Sequence, residues 1–182
     1  MSEDNLKHDF IHKIVVIGDG AVGKTSLIKR FTQGSFNKEY IKTLGAQFSS
    51  YERMMGDNND IRARLFFWDI AGQKEFKFMR PTFYNGGKAA IVVFDLSRPE
   101  TLQSVLEWYE DLKKYCGDVP TVMWGNKCDL TEEYDKKKVD EIVKKHKFLG
   151  FYLTSAKTGI HVTDAFNSII DVLVERALKE SQ

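Results

Sequence analysis

Gly18-Asp19-Gly20-Ala21-Val22-Gly23-Lys24-Thr25 stands between an apolar, β-branched run, Ile14–Ile17, and a segment with helical spacing, Lys24–Thr32. The stretch has the spacing G-x-x-x-x-G-K-[ST] in a strand–loop–helix context, which is the pattern of a phosphate-binding loop. Glycines let backbone curl closely around phosphate oxygens. The N–H groups between Gly20 and Thr25 are expected to face an anion, aided by the N-terminus of the helix that follows. Lys24 supplies a mobile positive charge to the outer phosphates, and Thr25 offers a hydroxyl to Mg²⁺, a hard cation that takes oxygen ligands. Residues Asp19, Gly20, Ala21, Val22, Gly23, Lys24, Thr25 and Ser26 form the expected phosphate-binding set. The loop indicates a nucleoside triphosphate without indicating which base.

Outward from this loop the chain alternates strands with helices. Gln47–Met55 and Ile61–Asp69 each alternate apolar and polar residues around the turn Gly56-Asp57-Asn58-Asn59-Asp60, which predicts an antiparallel hairpin. Ala89–Asp95 is a continuous apolar strand. Pro99–Tyr115 has helical spacing with proline in its first turn. Val119–Gly125 reads as a strand, Asp135–His146 as a helix, Phe148–Leu153 as a strand and Val162–Leu178 as the last helix. With one further helix in Glu75–Tyr84, the count is six strands and five helices. This alternation predicts an α/β fold with a mostly parallel sheet covered on both faces. Ligand loops then gather outside the carboxyl ends of the strands.

Two of those loops carry base-reading chemistry. Asn126-Lys127-Cys128-Asp129 follows the fifth strand. The Asp129 carboxylate can accept hydrogen bonds from both N1–H and the exocyclic amine of guanine. Adenine would leave it unpaired, at about 1–3 kcal/mol for each buried group left unsatisfied. Asn126 is expected to tie neighbouring loops together, and the Lys127 stem to lie across the base. Ser155-Ala156-Lys157 follows the sixth strand, where small residues can bring a backbone N–H to the guanine oxygen. Phe36 is a candidate for packing on the edge of the base.

Two other segments suit a γ-phosphate. In Trp68-Asp69-Ile70-Ala71-Gly72-Gln73, Asp69 can hold Mg²⁺ through water, and the Gly72 N–H can approach phosphate with no side chain in the way. Gln73, neutral with both donor and acceptor, can orient an attacking water. In Tyr40-Ile41-Lys42-Thr43, Thr43 offers a hydroxyl to Mg²⁺ and an N–H to the phosphate; Tyr40 joins the nucleotide-binding set. The expected catalytic residues are Gln73 and Lys24, and the expected metal residues Thr25, Thr43 and Asp69.

Composition bounds the rest. The 182 residues carry a net charge of +1 with 42% hydrophobic and 29% charged residues, which suits one globular domain and excludes a general nucleic-acid binder. Lysines at 136–138, 144, 145 and 147 read as a solvated helix face. Two cysteines, Cys116 and Cys128, supply no disulfide framework, so a reducing, cytoplasmic compartment is expected. Ser2 stands where an N-myristoylation signal needs glycine.

Taken together, GDGAVGKT, a threonine in the first switch, WDIAGQ, NKCD and SAK resemble the Ras superfamily of small GTPases, nearest its Rab and Ras branches. The resemblance runs from Lys13 through Leu178. It implies a P-loop G domain over residues 11–180, after a short polar extension at 1–10, with a six-stranded sheet, one antiparallel strand and five helices. It implies GTP and GDP as substrate and product, Mg²⁺ as cofactor, and a monomer. It also implies switch segments at about Phe36–Ala46 and Ala71–Tyr84 that meet exchange factors, GTPase-activating proteins and effectors. Thr43-Leu44-Gly45-Ala46-Gln47-Phe48 and Phe83-Tyr84-Asn85-Gly86-Gly87 look Rab-like. Ile70, Lys74 and Gln47 depart from the family's usual threonine, glutamate and aspartate, which makes the switch faces unusual. The sequence stops at Ser181-Gln182 with no cysteine for prenylation. These residues encode no membrane attachment, and two alternatives stay open: a lipidated tail beyond them with a peripheral membrane location, or a protein that works without a lipid.

Two other readings compete with a hydrolysing switch. A GTP-bound scaffold without turnover is disfavoured by the intact Gly20, Thr43 and Gln73. A metabolite kinase is disfavoured by Asp129 and by the plain helical character of Arg98–Asp118.

Overall fold

The β-branched run Ile14–Ile17 alternates its side chains between the two faces of a sheet, and both faces are dry. Ile14 and Val16 join one core cluster while Val15 and Ile17 join the other. That is why the run reads as continuously apolar. The computed structural model describes residues 6–37 and 41–181. Its strands are β1 (His8–Ile17), β2 (Ala46–Met55), β3 (Ile61–Ile70), β4 (Ala89–Asp95), β5 (Thr121–Asn126) and β6 (Phe151–Thr154). They form one sheet in the order β2-β3-β1-β4-β5-β6. The β2–β3 pair is antiparallel and the other pairs are parallel, with Ile14 opposite both Phe67 and Ala89. The β2–β3 turn places Gly56 at φ 85°, in the left-handed region that glycine enters without steric cost.

The helices are α1 (Lys24–Gln33), α2 (Arg80–Tyr84), α3 (Glu100–Gln103), α4 (Val105–Cys116), α5 (Lys136–His146) and α6 (Val162–Glu180), with a 3-10 segment at Lys74–Met79 before α2. On one face α1 and α6 pack Leu27, Phe166 and Ile169 against Phe67, Ile91 and Trp124. On the other, α2, α4 and α5 pack Tyr84, Trp108, Leu112 and Ile142 against Val15, Val92 and Met123. The α3 and α4 segments are separated only by Ser104 and fill the span predicted as one helix, so the sheet is flanked by five helical bodies.

Several boundaries differ from the sequence reading for local reasons. β1 begins at His8, inside the stretch expected to precede the domain, because Asp9 is paired by Arg62 and Arg64 across the β1–β3 ladder. β5 starts after Pro120, which has no N–H to give to a ladder but accepts from Ala90 N through its carbonyl. β6 starts at Phe151 because Lys147 turns left-handed at φ 54° and Phe148 N caps α5 at the Val143 carbonyl. Among the described residues no helix is long and apolar enough to cross a membrane.

Candidate nucleotide site

The loops after β1, β3, β5 and β6 meet the segment after α1 around a cavity of about 280 Å³. Its wall includes Gly20, Ala21, Gly23, Lys24, Thr25 and Ser26 from the first loop, with Phe36, Thr43, Gly72 and Gln73. Asn126, Lys127, Asp129, Ala156 and Lys157 complete the predicted part of the wall. Asp19, Val22, Asp69 and Ser155 lie behind this wall and hold it. Tyr40 lies outside the described residues. Lys29, Asn37, Ile41 and Leu130 also line the cavity, although no motif singles them out.

At the closed end, Gly23 takes φ 102° and leads into α1, whose N-terminus has no side-chain cap. A Cβ on Gly23 would overlap the Asn126 amide nitrogen, so only glycine fits there. The same amide nitrogen donates to the Val22 carbonyl at 2.8 Å, while Asn126 Oδ1 accepts from Ala156 N at 3.2 Å and Thr154 Oγ1 at 3.3 Å. One asparagine thus ties three loops. Lys24 is 6% exposed, and its Nζ donates to the carbonyls of Gly18 at 2.7 Å and Asp19 at 2.9 Å. Burial pushes its pKa down to about 8, against the opposing pull of Asp69 and Asp19. The buried ammonium lines the cavity, where a phosphate beside it would favour its charged form.

Three hard oxygens converge beside it. Asp69 Oδ2 accepts from Thr25 Oγ1 and, at 3.4 Å, from Thr43 Oγ1, and the two hydroxyls are 3.0 Å apart. Asp69 Oδ1 is buried without a hydrogen-bond partner among the described residues. Burial raises the pKa of this carboxyl, opposed by Lys24 and the two hydroxyls. An orphaned buried carboxylate oxygen beside two hydroxyls fits a small divalent cation with oxygen preference. Gly72 lies so close to the first loop that a Cβ would overlap the Gly20 nitrogen and the Asp19 carbonyl. A Cβ on Gly20 would meet Gln73 Nε2 at 3.5 Å, an ordinary contact, so Gln73 sits directly over the loop.

At the open end, Asp129 is held from behind. Ser155 Oγ, itself fully buried, donates to Asp129 Oδ1 at 2.6 Å and accepts from Thr158 N at 3.1 Å. Lys157 Nζ stands 3.7 Å from the other carboxylate oxygen. Lys127 adopts φ 68° and its Nζ reaches Asp95 at 2.7 Å. Arg30 of α1 donates to the carbonyls of Ala156 at 2.7 Å and Lys157 at 2.5 Å, with its guanidinium carbon 5.9 Å from the Phe36 ring centre. Arg98 donates to the Gly20 carbonyl at 2.8 Å and the Trp108 indole N–H to Asp19 at 2.7 Å. No local motif points to Arg30, Arg98 or Trp108, because each acts on a loop far away in sequence.

Beside the cavity lies an apolar rim. Ile41, Leu44, Phe48 and Phe78 are largely exposed. Trp68 packs between Phe48 and Phe83 beneath the Lys13 ammonium. The apolar and aromatic residues before Asn85 differ in burial: Phe78 points to solvent, Phe76, Met79 and Phe83 are half-buried, and Tyr84 is fully buried.

Residues 13–175 match the family model described as Ras family. Ras-related protein Rab-32B of Dictyostelium discoideum is 36% identical over 180 residues, covering 96% of this chain and 68% of that protein. Ras-related protein Rab-32 of Homo sapiens is 34% identical over 173 residues, covering 91% of this chain and 76% of its own length. Human Ras-related protein Rab-7L1 is also 34% identical, over 179 residues, covering 95% and 85% respectively. A mostly parallel sheet with one antiparallel strand, a glycine-lined loop over a buried lysine and a match spanning almost the whole chain agree. The chain belongs to the Ras family, as a Rab-like small GTPase that binds GTP and GDP and acts as a molecular switch.

Proposed function

We propose that the cavity holds GTP or GDP with Mg²⁺, the guanine on Asp129 and the outer phosphates on Lys24, and that Gln73 orients the water that cleaves the γ-phosphate. The observation that carries this reading is the opposition of two ends within one cavity. Lys24 and the oxygens of Thr25, Thr43 and Asp69 gather at one end, and a carboxylate braced by Ser155 stands at the other. The Gly20–Ser26 amides supply donors to phosphate oxygens. Lys127 and Phe36 flank the base, and Ala156 presents its backbone to the guanine oxygen. Thr25, Thr43 and Asp69, the last through water, would hold the metal. Mg²⁺, when bound, neutralises charge on the outer phosphates.

Thr43 and Gly72 sense the γ-phosphate, and its loss releases the segments Phe36–Ala46 and Ala71–Tyr84. Family members work with regulators and effectors in general. Here the exchange factor, activating protein and effectors dock on the switch segments and the exposed Leu44, Phe48 and Phe78. Residues 8–180 act as one monomeric domain in membrane traffic or signalling, and the free Cys116 and Cys128 fit a cytoplasmic location.

Hydrogen exchange of protein loaded with GDP or with a non-hydrolysable GTP analogue tests the switch. Slower exchange in both segments with the analogue is expected; identical exchange in the two states contradicts it.

A further inference from the structure

We propose that Asp95 is a positioning residue for nucleotide retention, because its buried carboxylate ties the base-reading loop to the phosphate loop. The inference rests on the guanine-nucleotide reading of the cavity and adds a residue that lines neither the base nor the phosphate end.

Asp95 closes β4 with a side chain that is 0% exposed. Its Oδ1 accepts from Ser97 N at 2.9 Å and from Ser97 Oγ at 2.6 Å. Its Oδ2 is shared by two cations, Arg98 Nε at 3.0 Å and Lys127 Nζ at 2.7 Å. Arg98 continues the chain of contacts, since its terminal nitrogen donates to the Gly20 carbonyl at 2.8 Å. The loops after β1, β4 and β5 therefore meet at one carboxylate. The backbone of Asp95 is fixed as well: its N–H donates to Thr101 Oγ1 at 2.9 Å, and Arg98 N donates to its carbonyl at 3.0 Å.

The consequence for the ligand runs through Lys127. A lysine stem has four rotatable carbons and loses much freedom when it is pinned. Asp95 pins the ammonium, so the stem is held along the cavity wall before a base arrives. Pre-organisation of this kind lowers the cost of binding without a new contact to the ligand. The Arg98 arm holds the Gly20 carbonyl at 2.8 Å and so steadies the phosphate loop in the same way.

The chemistry requires an acid at this place. Burial alone would raise the Asp95 pKa, but the hydrogen bonds from Lys127, Ser97 and Arg98 more than offset it and hold the carboxyl below the usual range. Asparagine has the same shape but one acceptor. If that oxygen stays with Ser97, its NH₂ faces two cations and both arms are released.

The test is the release of N-methylanthraniloyl-GDP into excess GDP with Mg²⁺. It compares the parent with Asp95→Asn, Lys127→Met and the double variant, with the thermal midpoint recorded for each. Asp95→Asn is expected to speed release on the order of tenfold, the size of a lost charge-assisted hydrogen bond. In the double variant the two effects are expected not to multiply, because both act through one contact. A merely structural role would lower the midpoint in both backgrounds while the release factors multiplied, and that result overturns the proposal. Arg98→Met, which leaves the Asp95–Lys127 pair in place, is expected to speed release several-fold and serves if Asp95→Asn does not fold; release at the parental rate overturns the proposal in either variant. A parent that takes up no labelled GDP overturns the guanine reading itself. A parent that binds, with Asp95→Asn releasing at the parental rate, overturns the role of Asp95 alone.

Discussion

Ser155→Ala should weaken guanine-nucleotide binding although the side chain is buried behind the cavity wall. The hydroxyl donates to Asp129 Oδ1 at 2.6 Å from a fully buried position. Removing it leaves the carboxylate with one fewer donor. In the free protein the Asp129 side chain is 11% exposed, so water replaces part of what is lost. In the complex the base covers the carboxylate and excludes that water, so the cost falls mainly on the bound state. A hydrogen bond to a charged group contributes about 1.5–3 kcal/mol. Partial compensation in the free protein brings the net effect to about 1–2 kcal/mol, or roughly 5- to 30-fold in Kd. Fluorescence titration with labelled GDP reads this directly, and a melting curve checks the fold. Unchanged affinity in a well-folded variant would refute the argument that Ser155 orients Asp129.

Further outcomes follow from the phosphate end. Lys24 titrates at about 8 in the nucleotide-free protein, below its ordinary 10.5, and bound phosphate favours the ammonium. GDP affinity should therefore be flat below about pH 8 and fall roughly tenfold per unit above it, with close to one proton taken up per nucleotide at pH 9. Calorimetry in two buffers of different ionisation heat measures that uptake, and zero uptake contradicts it. The same shift makes folding of the nucleotide-free protein gain stability as pH rises from about 8 to 10.5, because the unfolded chain then binds more protons. Gln73→Leu should keep GTP binding and lose roughly a hundredfold in single-turnover hydrolysis, as for a lost transition-state hydrogen bond; equal rates refute the role. Chelating Mg²⁺ should speed GDP release at least about tenfold, since Asp69 then faces phosphate without a cation between them; unaltered release removes the metal from the Thr25–Thr43–Asp69 site. Trp108→Phe deletes the 2.7 Å bond from its indole N–H to Asp19 and should lower Tm by about 2–4 °C, leaving Arg80 over the ring; an unchanged Tm shows that this bond contributes nothing.

What the sequence made legible was local. The phosphate loop is visible because strand, glycines, lysine and helix start fall within a dozen residues. The β2–β3 hairpin is visible because its alternation has a period of two and its turn is rich in Gly, Asp and Asn. What stayed hidden depends on partners distant along the chain. Ser155 reaches Asp129 across 26 positions, Arg98 reaches Gly20 across 78 and Trp108 reaches Asp19 across 89. Each of these donors sits in a segment that reads locally as a turn or a plain helix. The early start of β1 was hidden because Asp9 looks like a solvent residue until Arg62 and Arg64 are set beside it by the β1–β3 register. Likewise α1 shows its lysine and threonine in the motif, but Lys29 and Arg30, one and a half turns on, carry no signal that they turn toward the cavity rim and the β6 loop.

The central claim is that one cavity reads both a guanine and its phosphates. Displacement of labelled GDP from the purified protein, in excess Mg²⁺, by unlabelled GDP and by ADP tests it most directly. GDP should displace stoichiometrically while ADP fails even in large excess, because adenine leaves the Asp129 carboxylate unpaired. Displacement by ADP at concentrations comparable to GDP would contradict the account.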